Sequence, residues 1–297
     1  MRKAGWLLLL LGVVGLSACR GTAAGDKNGA DPAAPLIVGS YNIWCGAEEK
    51  EPFPWSQRRE KIKELIRFYE YDLLGMQEVR PEQVDFFRTL DEYDLLGTGR
   101  EGPGQGEHMT ILYRKDRLQV LDSATFWLSE TPDTVSLGWD AAYNRICTWA
   151  KFQDRQSGQV FYFFNTHLDH MGPVAQLEGA RLLIRRIDEI AGSDSLPILC
   201  TGDFNSRPES EPIAVMTQRL HSAKSVSQTP PYGVGATYRG LKVDPAFDTL
   251  NVGEIDYLFV NDRVEVLKFG VLSDSDGQFY PSDHLPLWAR VRLQKCQ

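Results

Sequence analysis

Cysteine is scarce, with five residues in 297, and positions 19, 45, 147, 200 and 296 are spaced too irregularly for a CxxC metal site or a dithiol redox pair. Long apolar runs are also missing. The one sustained stretch, from Trp6 to Leu16, is shorter than the ~20 residues a bilayer-spanning helix needs. Positive charge is in deficit: 32 Lys and Arg face 40 Asp and Glu, a formal net charge of −8. Non-specific affinity for long nucleic acid comes mostly from phosphate neutralisation, so this balance counts against a processive DNA-binding role. No internal repeat or low-complexity tract interrupts the main part of the chain. What remains is 42% hydrophobic and 24% charged, the composition of a globular protein, at a length that suits one large α/β domain or two small ones.

The N-terminus has the three-part layout of a secretory signal: Arg2 and Lys3, the apolar run, then Leu16-Ser17-Ala18-Cys19. The last four residues look like a bacterial lipobox, in which small residues admit the signal peptidase and the Cys19 thiol receives lipid. Residues 1–18 are therefore expected to be removed. Residues 19–35, rich in Gly, Ala, Asp, Asn and Pro, are expected to form a flexible tether, and residues 36–297 the folded domain. This predicts an exported lipoprotein held at a membrane, on a periplasmic face or the cell surface. Losing Arg2 and Lys3 takes the net charge to about −10. Export permits disulfides, which spacing cannot pair.

Residues 36–43 are strand-like. Ser56 can cap a helix in which Ile62, Leu65, Ile66 and Tyr69 recur at i, i+3, i+4 and i+7. Residues 72–76 read as the next strand and end on Gln77 and Glu78, after which Pro81 opens a second helix. Short strands then follow one another at 93–97, 109–113, 118–127 and 145–152, which implies antiparallel pairing. The run 160–164 is apolar throughout, as in a strand buried on both faces, and it delivers Asn165-Thr166-His167. A helical face at Leu177, Ala180, Ile184, Ile187 and Ala191 precedes the buried strand 196–200 and Gly202-Asp203-Phe204-Asn205. Residues 221–253 read as a long surface connection of the kind that shapes substrate choice. Strands at 255–260 and 287–293 complete a pattern of two packed sheets covered outside by helices.

Five times, then, a strand ends on carboxylate, carboxamide or imidazole groups, the fifth being Ser282-Asp283-His284. Taken in order, the Asn42 strand, Gln77-Glu78, residues 165–169, Gly202-Asp203-Phe204-Asn205, Ile255-Asp256-Tyr257 and Ser282-Asp283-His284 resemble the endonuclease/exonuclease/phosphatase superfamily. The resemblance covers residues 36–293 and implies a DNase I-like four-layer α/β sandwich of two packed mixed sheets flanked by helices. It also implies phosphoester hydrolysis. That reaction brings water against a phosphorus shielded by negative oxygens, so the site needs positive charge at phosphate and a base near the water.

By this resemblance Glu78 is the principal ligand of Mg²⁺ or Mn²⁺, with Asn42 and Asp283 nearby, and Asp203 orients or deprotonates the attacking water. Asn205 holds phosphate, as does Asn42. His284 is the catalytic imidazole at phosphate, its tautomer fixed by Asp256, and His167 is a second imidazole. Glu107 is the candidate for the carboxylate that orients His167. Arg145 offers a fixed guanidinium to phosphate, or is a solvated strand-end arginine. Asp203 and Asn205, two apart in an extended segment, would point the same way. Tyr113 reads as core, while Trp127, Trp139 and Tyr143 sit where a base or sugar could stack. Residues 125–145 narrow the likeness to a bacterial branch near deadenylase-like relatives. Trp44 and His108-Met109-Thr110 depart from it at the expected mouth of the site. The reading favours a monomeric phosphodiesterase on a nucleic acid fragment or small organic phosphate. A phosphomonoesterase, a phospholipase on lipid head groups and a non-catalytic phosphate-binding lipoprotein are the alternatives. No protein partner is expected.

Overall fold

Alternating and uniformly apolar runs set the strands, and the chain-order pattern of helices sets which of them lie parallel. The computed structural model describes Met1 and residues 34–46, 53–192, 194–243 and 253–294. The signal segment after Met1, Cys19, almost all of the tether and Cys296 lie outside the described residues. The first unit is β1 (Leu36–Asn42), α1 (Trp55–Phe68), β2 (Leu73–Val79) and α2 (Pro81–Phe87). Then come β3 (Tyr93–Leu96), β4 (His108–Arg114), β5 (Leu118–Trp127), β6 (Ile146–Asp154) and β7 (Val160–His167). The rest is α3 (Pro173–Ala191), β8 (Ile198–Asp203), α4 (Glu211–Thr217), β9 (His221–Ser222), β10 (Asp256–Val260), β11 (Val264–Val271) and β12 (Leu287–Leu293).

Two six-stranded mixed sheets result, ordered β11-β12-β1-β2-β4-β3 and β5-β6-β7-β8-β10-β9. Val38, Ile111, Phe152, Phe161, Leu258 and Val291 belong to one buried cluster fed by strands of both sheets. On the outer face of the second sheet, Ala180, Leu183 and Ile187 of α3 pack with Phe164, Cys200 and Phe259. On the first, Ile62, Leu65 and Ile66 of α1 pack with Leu74 and Met76. Each helix buries one apolar stripe, as the 3.6-residue period requires. Cys45, Cys147 and Cys200 are free thiols.

Four details differ from the sequence expectation. Helix α1 begins at Trp55 with Pro54 as its cap residue, because Pro54 already holds the extended conformation that precedes a helix; Ser56 falls inside the first turn. β4 and β5 follow within three residues but enter different sheets. Buried Arg117 pins the crossing, donating from Nε to Asp154 Oδ1 at 2.6 Å and from Nη2 to Ala34 O at 2.8 Å. Consecutive strands therefore do not all pair. Finally, α4 and β11 are elements to which the sequence reading assigns nothing, and β11 pairs along β12 and also meets Tyr232 at Gly270.

The sheets are joined by a buried polar bridge directly under the site. Gln77 Nε2 donates to Asn165 Oδ1 at 2.7 Å, Thr201 Oγ1 donates to the same oxygen at 3.1 Å, and Asn165 Nδ2 donates to Met76 O and Thr110 O at 2.8 and 3.0 Å. The bridge fits because residue 75 has no side chain: a Cβ there would lie 2.1 Å from Thr201 Oγ1 and 2.6 Å from Asn165 Oδ1. Gly75→Ala is therefore expected to cost about 1–3 kcal/mol by overpacking. Urea unfolding measures it, and a loss within about 0.5 kcal/mol, the scale of a surface change, would contradict the close approach.

Candidate active site

Topology decides why the chemistry gathers at one end. β1 and β2 are parallel and finish on Asn42 and Glu78–Val79, while β7 and β8 are parallel and finish on His167 and Asp203. β10 and β12 run antiparallel to β8 and β1, so they contribute their starts: Asp256 lies opposite Asp203, and His284 sits just ahead of β12. The strand ends are bent to aim their side chains. Glu78 lies in a bulge of β2 with φ 62°, and Trp44 and Asn205 also hold left-handed conformations at φ 60° and 46°. Such conformations cost energy in residues other than glycine, and they concentrate where a side chain must be re-aimed.

Asn42 occupies the centre. Its Nδ2 donates to Glu78 Oε1 at 2.9 Å and to Asp203 Oδ2 at 3.0 Å, which uses both hydrogens. Its 3.4 Å approach to His284 Nε2 is thus no hydrogen bond. Its Oδ1 accepts from Trp44 N at 3.0 Å, and as oriented the amide spaces two carboxylates. Burial opposes charge on Glu78, but Asn42, the neighbouring His284 and the Cys45 N–H hold it ionised below the usual range. His284 Nδ1 meets Asp256 Oδ2 at 2.8 Å. Burial disfavours its charge, yet Asp256 and Asp203 outweigh burial and raise it well above the ordinary imidazole value. It is an imidazolium whose Nε2–H faces Asp203 at 3.6 Å.

Burial, with Asp256 adding to it, pushes Asp203 above the ordinary carboxylate range. A buried carboxylate poised in this way can take up a proton near neutrality. The backbone N–H of Asn205 donates to Asp203 Oδ1 at 2.9 Å, so a turn, not an extended segment, brings the two side chains to the same cavity. Asn205 Nδ2 donates to Leu168 O at 3.0 Å and to His167 Nε2 at 2.9 Å. His167 is accordingly neutral, which burial and the nearby Arg145 enforce by driving its pKa well below the ordinary value.

Glu107 does not orient His167. It is ion-paired to Arg100 at 2.8 Å, and His167 Nδ1 is buried with no partner among the described residues. Asp283 lines the same cavity as Glu78. Burial pushes it up to about 6, with His284 opposing the shift and Glu78 adding to it. Arg145 is buried, donating from Nε to Asp169 Oδ2 at 3.2 Å and from Nη2 to His170 Nδ1 at 3.0 Å. Burial raises Asp169, but the Gly172 and Met171 N–H groups and Arg145 more than offset it and bring it down to about 2. The guanidinium is thus fixed at the cavity wall rather than solvated.

One functional residue escaped sequence reading. Arg58 of α1 is fully buried and donates to Ile43 O and Pro281 O, both at 2.8 Å, to Gly46 O at 2.9 Å and to Trp44 O at 3.1 Å. It clamps the loop after β1 to the loop that carries His284. Ser282 assists by donating from Oγ to Asn42 O at 2.7 Å. The available signal was position: Arg58, Ile62, Leu65 and Ile66 share one helical face, where an arginine has no place unless it is paired. Trp44 packs under the Arg58 guanidinium at 4.6 Å, and His108 is buried against Val79 O, so neither reaches the mouth. Tyr113 is core, and Trp127 is buried with its Nε1 on Arg100 O. Trp139 packs beside the α3 cluster. Of the aromatics in residues 125–145, Tyr143 lines the cavity.

The cavity measures about 670 Å³. Ligand atoms of Glu78, Asp203 and His284 lie within 4.8 Å of one another. The carboxylate oxygens of this group are the hard donors Mg²⁺ and Mn²⁺ prefer. Burial raises Asp203 and Asp283, Asp256 and Glu78 add to the rise, and a cation would neutralise that added negative charge, so the residues fit a divalent ion held by Glu78 with Asp203 or Asp283.

Two packed mixed sheets with this carboxylate and imidazole cluster at their common end define the DNase I-like class of phosphoester hydrolases. Residues 39–284 match the Endonuclease/Exonuclease/phosphatase family, and the chain belongs to it. A family protein from Bacteroides vulgatus is 35% identical and aligns over 88% of this chain and 100% of its own, with a TM-score of 0.82. A mannosyl-6-phosphatase from Bacteroides thetaiotaomicron VPI-5482 is 32% identical over 86% of this chain and 99% of its own, with a TM-score of 0.78. RNA exonuclease NGL1 of Saccharomyces cerevisiae is 22% identical over 71% of this chain. The matches span between 52% and 66% of the lengths of NGL1 and the other curated relatives.

Proposed function

We propose that this chain is a divalent-metal-dependent hydrolase that attacks a phosphoester with water directly, without a covalent enzyme intermediate. The observation that carries the reading is the Asn42-spaced pair of carboxylates, Glu78 and Asp203, beside the Asp256-held imidazolium of His284. Asp203 accepts the proton of the attacking water. The Nε2–H of His284 and the Arg145 guanidinium face the phosphoryl oxygens, where positive charge that is already in place lowers the barrier most. Asn205 keeps His167 neutral and oriented toward the same cavity. When bound, the cation supplies charge neutralisation at the phosphate and the leaving oxygen.

The substrate is a small phosphorylated molecule. The site is a cavity rather than an extended basic groove, carboxylates line it beside Arg80, Arg100 and Arg145, and the chain is acidic overall. The guanidiniums of Arg80 and Arg145 suit the double charge of a terminal phosphate, and the likeness to a mannosyl-6-phosphatase supports a monoester. A diester is the second reading, which the likeness to an RNA exonuclease favours. Turnover of p-nitrophenyl phosphate against bis(p-nitrophenyl) phosphate separates them; a protein that cleaves only the diester ends the monoester reading. Chelation with EDTA is expected to abolish turnover, with Mg²⁺ or Mn²⁺ restoring it. Glu78→Gln should weaken metal affinity by at least about 10-fold through loss of a charged ligand, as read by metal titration of activity and of thermal stability. Full activity in EDTA would remove the metal from the mechanism.

A further inference from the structure

Two sets of contacts bring aromatic rings to the cavity that holds the catalytic groups. Tyr238 meets the His284 ring at 5.1 Å in a T-shaped contact, His284 and His167 flank Asp203 at 3.6 and 3.4 Å, and Arg145 contacts His170, whose ring stacks on Tyr143 at 5.8 Å and 12°. Tyr238 thus adjoins the catalytic imidazole of His284, and Tyr143 adjoins His170, the partner of Arg145. Both tyrosines line the cavity and stay substantially open, with Tyr143 50% and Tyr238 38% exposed. Aromatic surface left exposed at a catalytic mouth, where it could have been packed away, is available to a ligand.

Both rings are held by design of the surrounding backbone and charge. Buried Thr237 accepts at Oγ1 from the N–H groups of Ile255 and Asp256, both at 3.0 Å, and its carbonyl accepts from Leu285 N at 2.7 Å. Arg239 N and Gly240 N both donate to Asp283 O. The segment carrying Tyr238 is therefore stitched to the two strand starts that deliver Asp256 and His284. Across the cavity the Arg100 guanidinium lies 4.7 Å from the Tyr143 ring, and its pairing with Glu107 places a fixed donor and acceptor side by side on the wall. Glu107 has no part in orienting His167, so the hydrolytic chemistry leaves this ion pair unexplained.

We propose that Tyr143, Tyr238 and the Arg100–Glu107 pair form the leaving-group subsite, and that it selects a phosphorylated sugar over open-chain or polymeric phosphoesters. The inference rests on the hydrolase reading above and names the substrate class for it. A pyranose presents an apolar C–H face that packs on an aromatic ring. Its hydroxyls each donate and accept, which an adjacent guanidinium and carboxylate satisfy together. A site built to bond hydroxyls discriminates strongly against a molecule lacking them, because its own polar groups are then left unpaired.

The test compares a hexose 6-phosphate with glycerol 3-phosphate in Mg²⁺. The expected wild-type kcat/KM is at least about 100-fold higher for the hexose ester. Tyr143→Ala, Tyr238→Ala and Glu107→Gln should each raise KM for the hexose ester about 10-fold with kcat within about threefold, and affect glycerol 3-phosphate less. Tyr238→Phe, which keeps the ring, should restore the wild-type KM. Equal efficiency on the two wild-type substrates, or variants that lower kcat on both alike, would overturn the subsite. Calorimetric binding of a hexose 6-phosphonate, which cannot be hydrolysed, separates the two levels. Binding that Tyr238→Ala weakens about 10-fold, with no turnover of any ester, sinks the hydrolase reading and leaves the subsite standing. Hydrolysis of phosphoesters with no phosphonate binding does the reverse.

Discussion

Changing Asp203 to asparagine is expected to lower kcat on a phosphoester by about 10²- to 10⁴-fold, the range general-base removal commands. The carboxylate is buried, with Oδ2 3.0 Å from the Asn42 amide and Oδ1 on the Asn205 N–H, and the raised proton affinity it draws from burial and Asp256 suits a base working near neutrality. Asparagine keeps the shape and removes the proton acceptor. The fold should tolerate the change within about 1–2 kcal/mol, because relief of a buried charge beside Asp256 offsets the poorer match to the Asn42 N–H. Kinetics and thermal unfolding of the same preparation decide it. A variant that retains a third of wild-type kcat would dismiss Asp203 as the base.

Arg58→Met is expected to destabilise the protein by about 3–5 kcal/mol, since the carbonyls of Ile43, Gly46 and Pro281 lose their donor and that of Trp44 is left with Gln83 Nε2 alone. Below its melting temperature the variant should also lose about 10²-fold in kcat, because the clamp sets the spacing between the Asn42 loop and the His284 loop, and misplacement of order 1 Å is enough. Burial brings the guanidinium down to about 10, so it still carries its charge at neutral pH. Arg58→Lys should recover little, as one ammonium cannot span four carbonyls. Urea unfolding and kinetics at 15 °C read the two effects; wild-type stability in Arg58→Met would mean that water satisfies those carbonyls.

The parts of the fold legible in sequence are those whose period or punctuation is strong. Pro81 marks α2, the 3.6-residue face of α3 is explicit, and the apolar runs of β7 and β8 lead straight to His167 and Asp203. Less legible are the parts that neighbours outside the local window decide. β11 takes its place from pairing with β12, and the β4–β5 passage from one sheet to the other depends on an ion pair between Arg117 and Asp154, 37 positions apart. The site shows the same division. Its main residues stand at strand ends and announce themselves by type. Glu107 stands near them in sequence order, but its partner is Arg100. Arg58 sits in the middle of a helix, and its importance comes from carbonyls up to 223 positions away.

Composition and patterning by themselves determined that this chain builds two apolar sheets with helices outside and delivers carboxylates, amides and imidazoles at strand ends, because hydrophobic period and turn chemistry are local properties. Tertiary structure alone decided which of those groups are charged, which are paired, and which face the cavity. Burial and the charges gathered around a side chain set its protonation and hydrogen bonds, and both come from segments that meet only after the chain has folded.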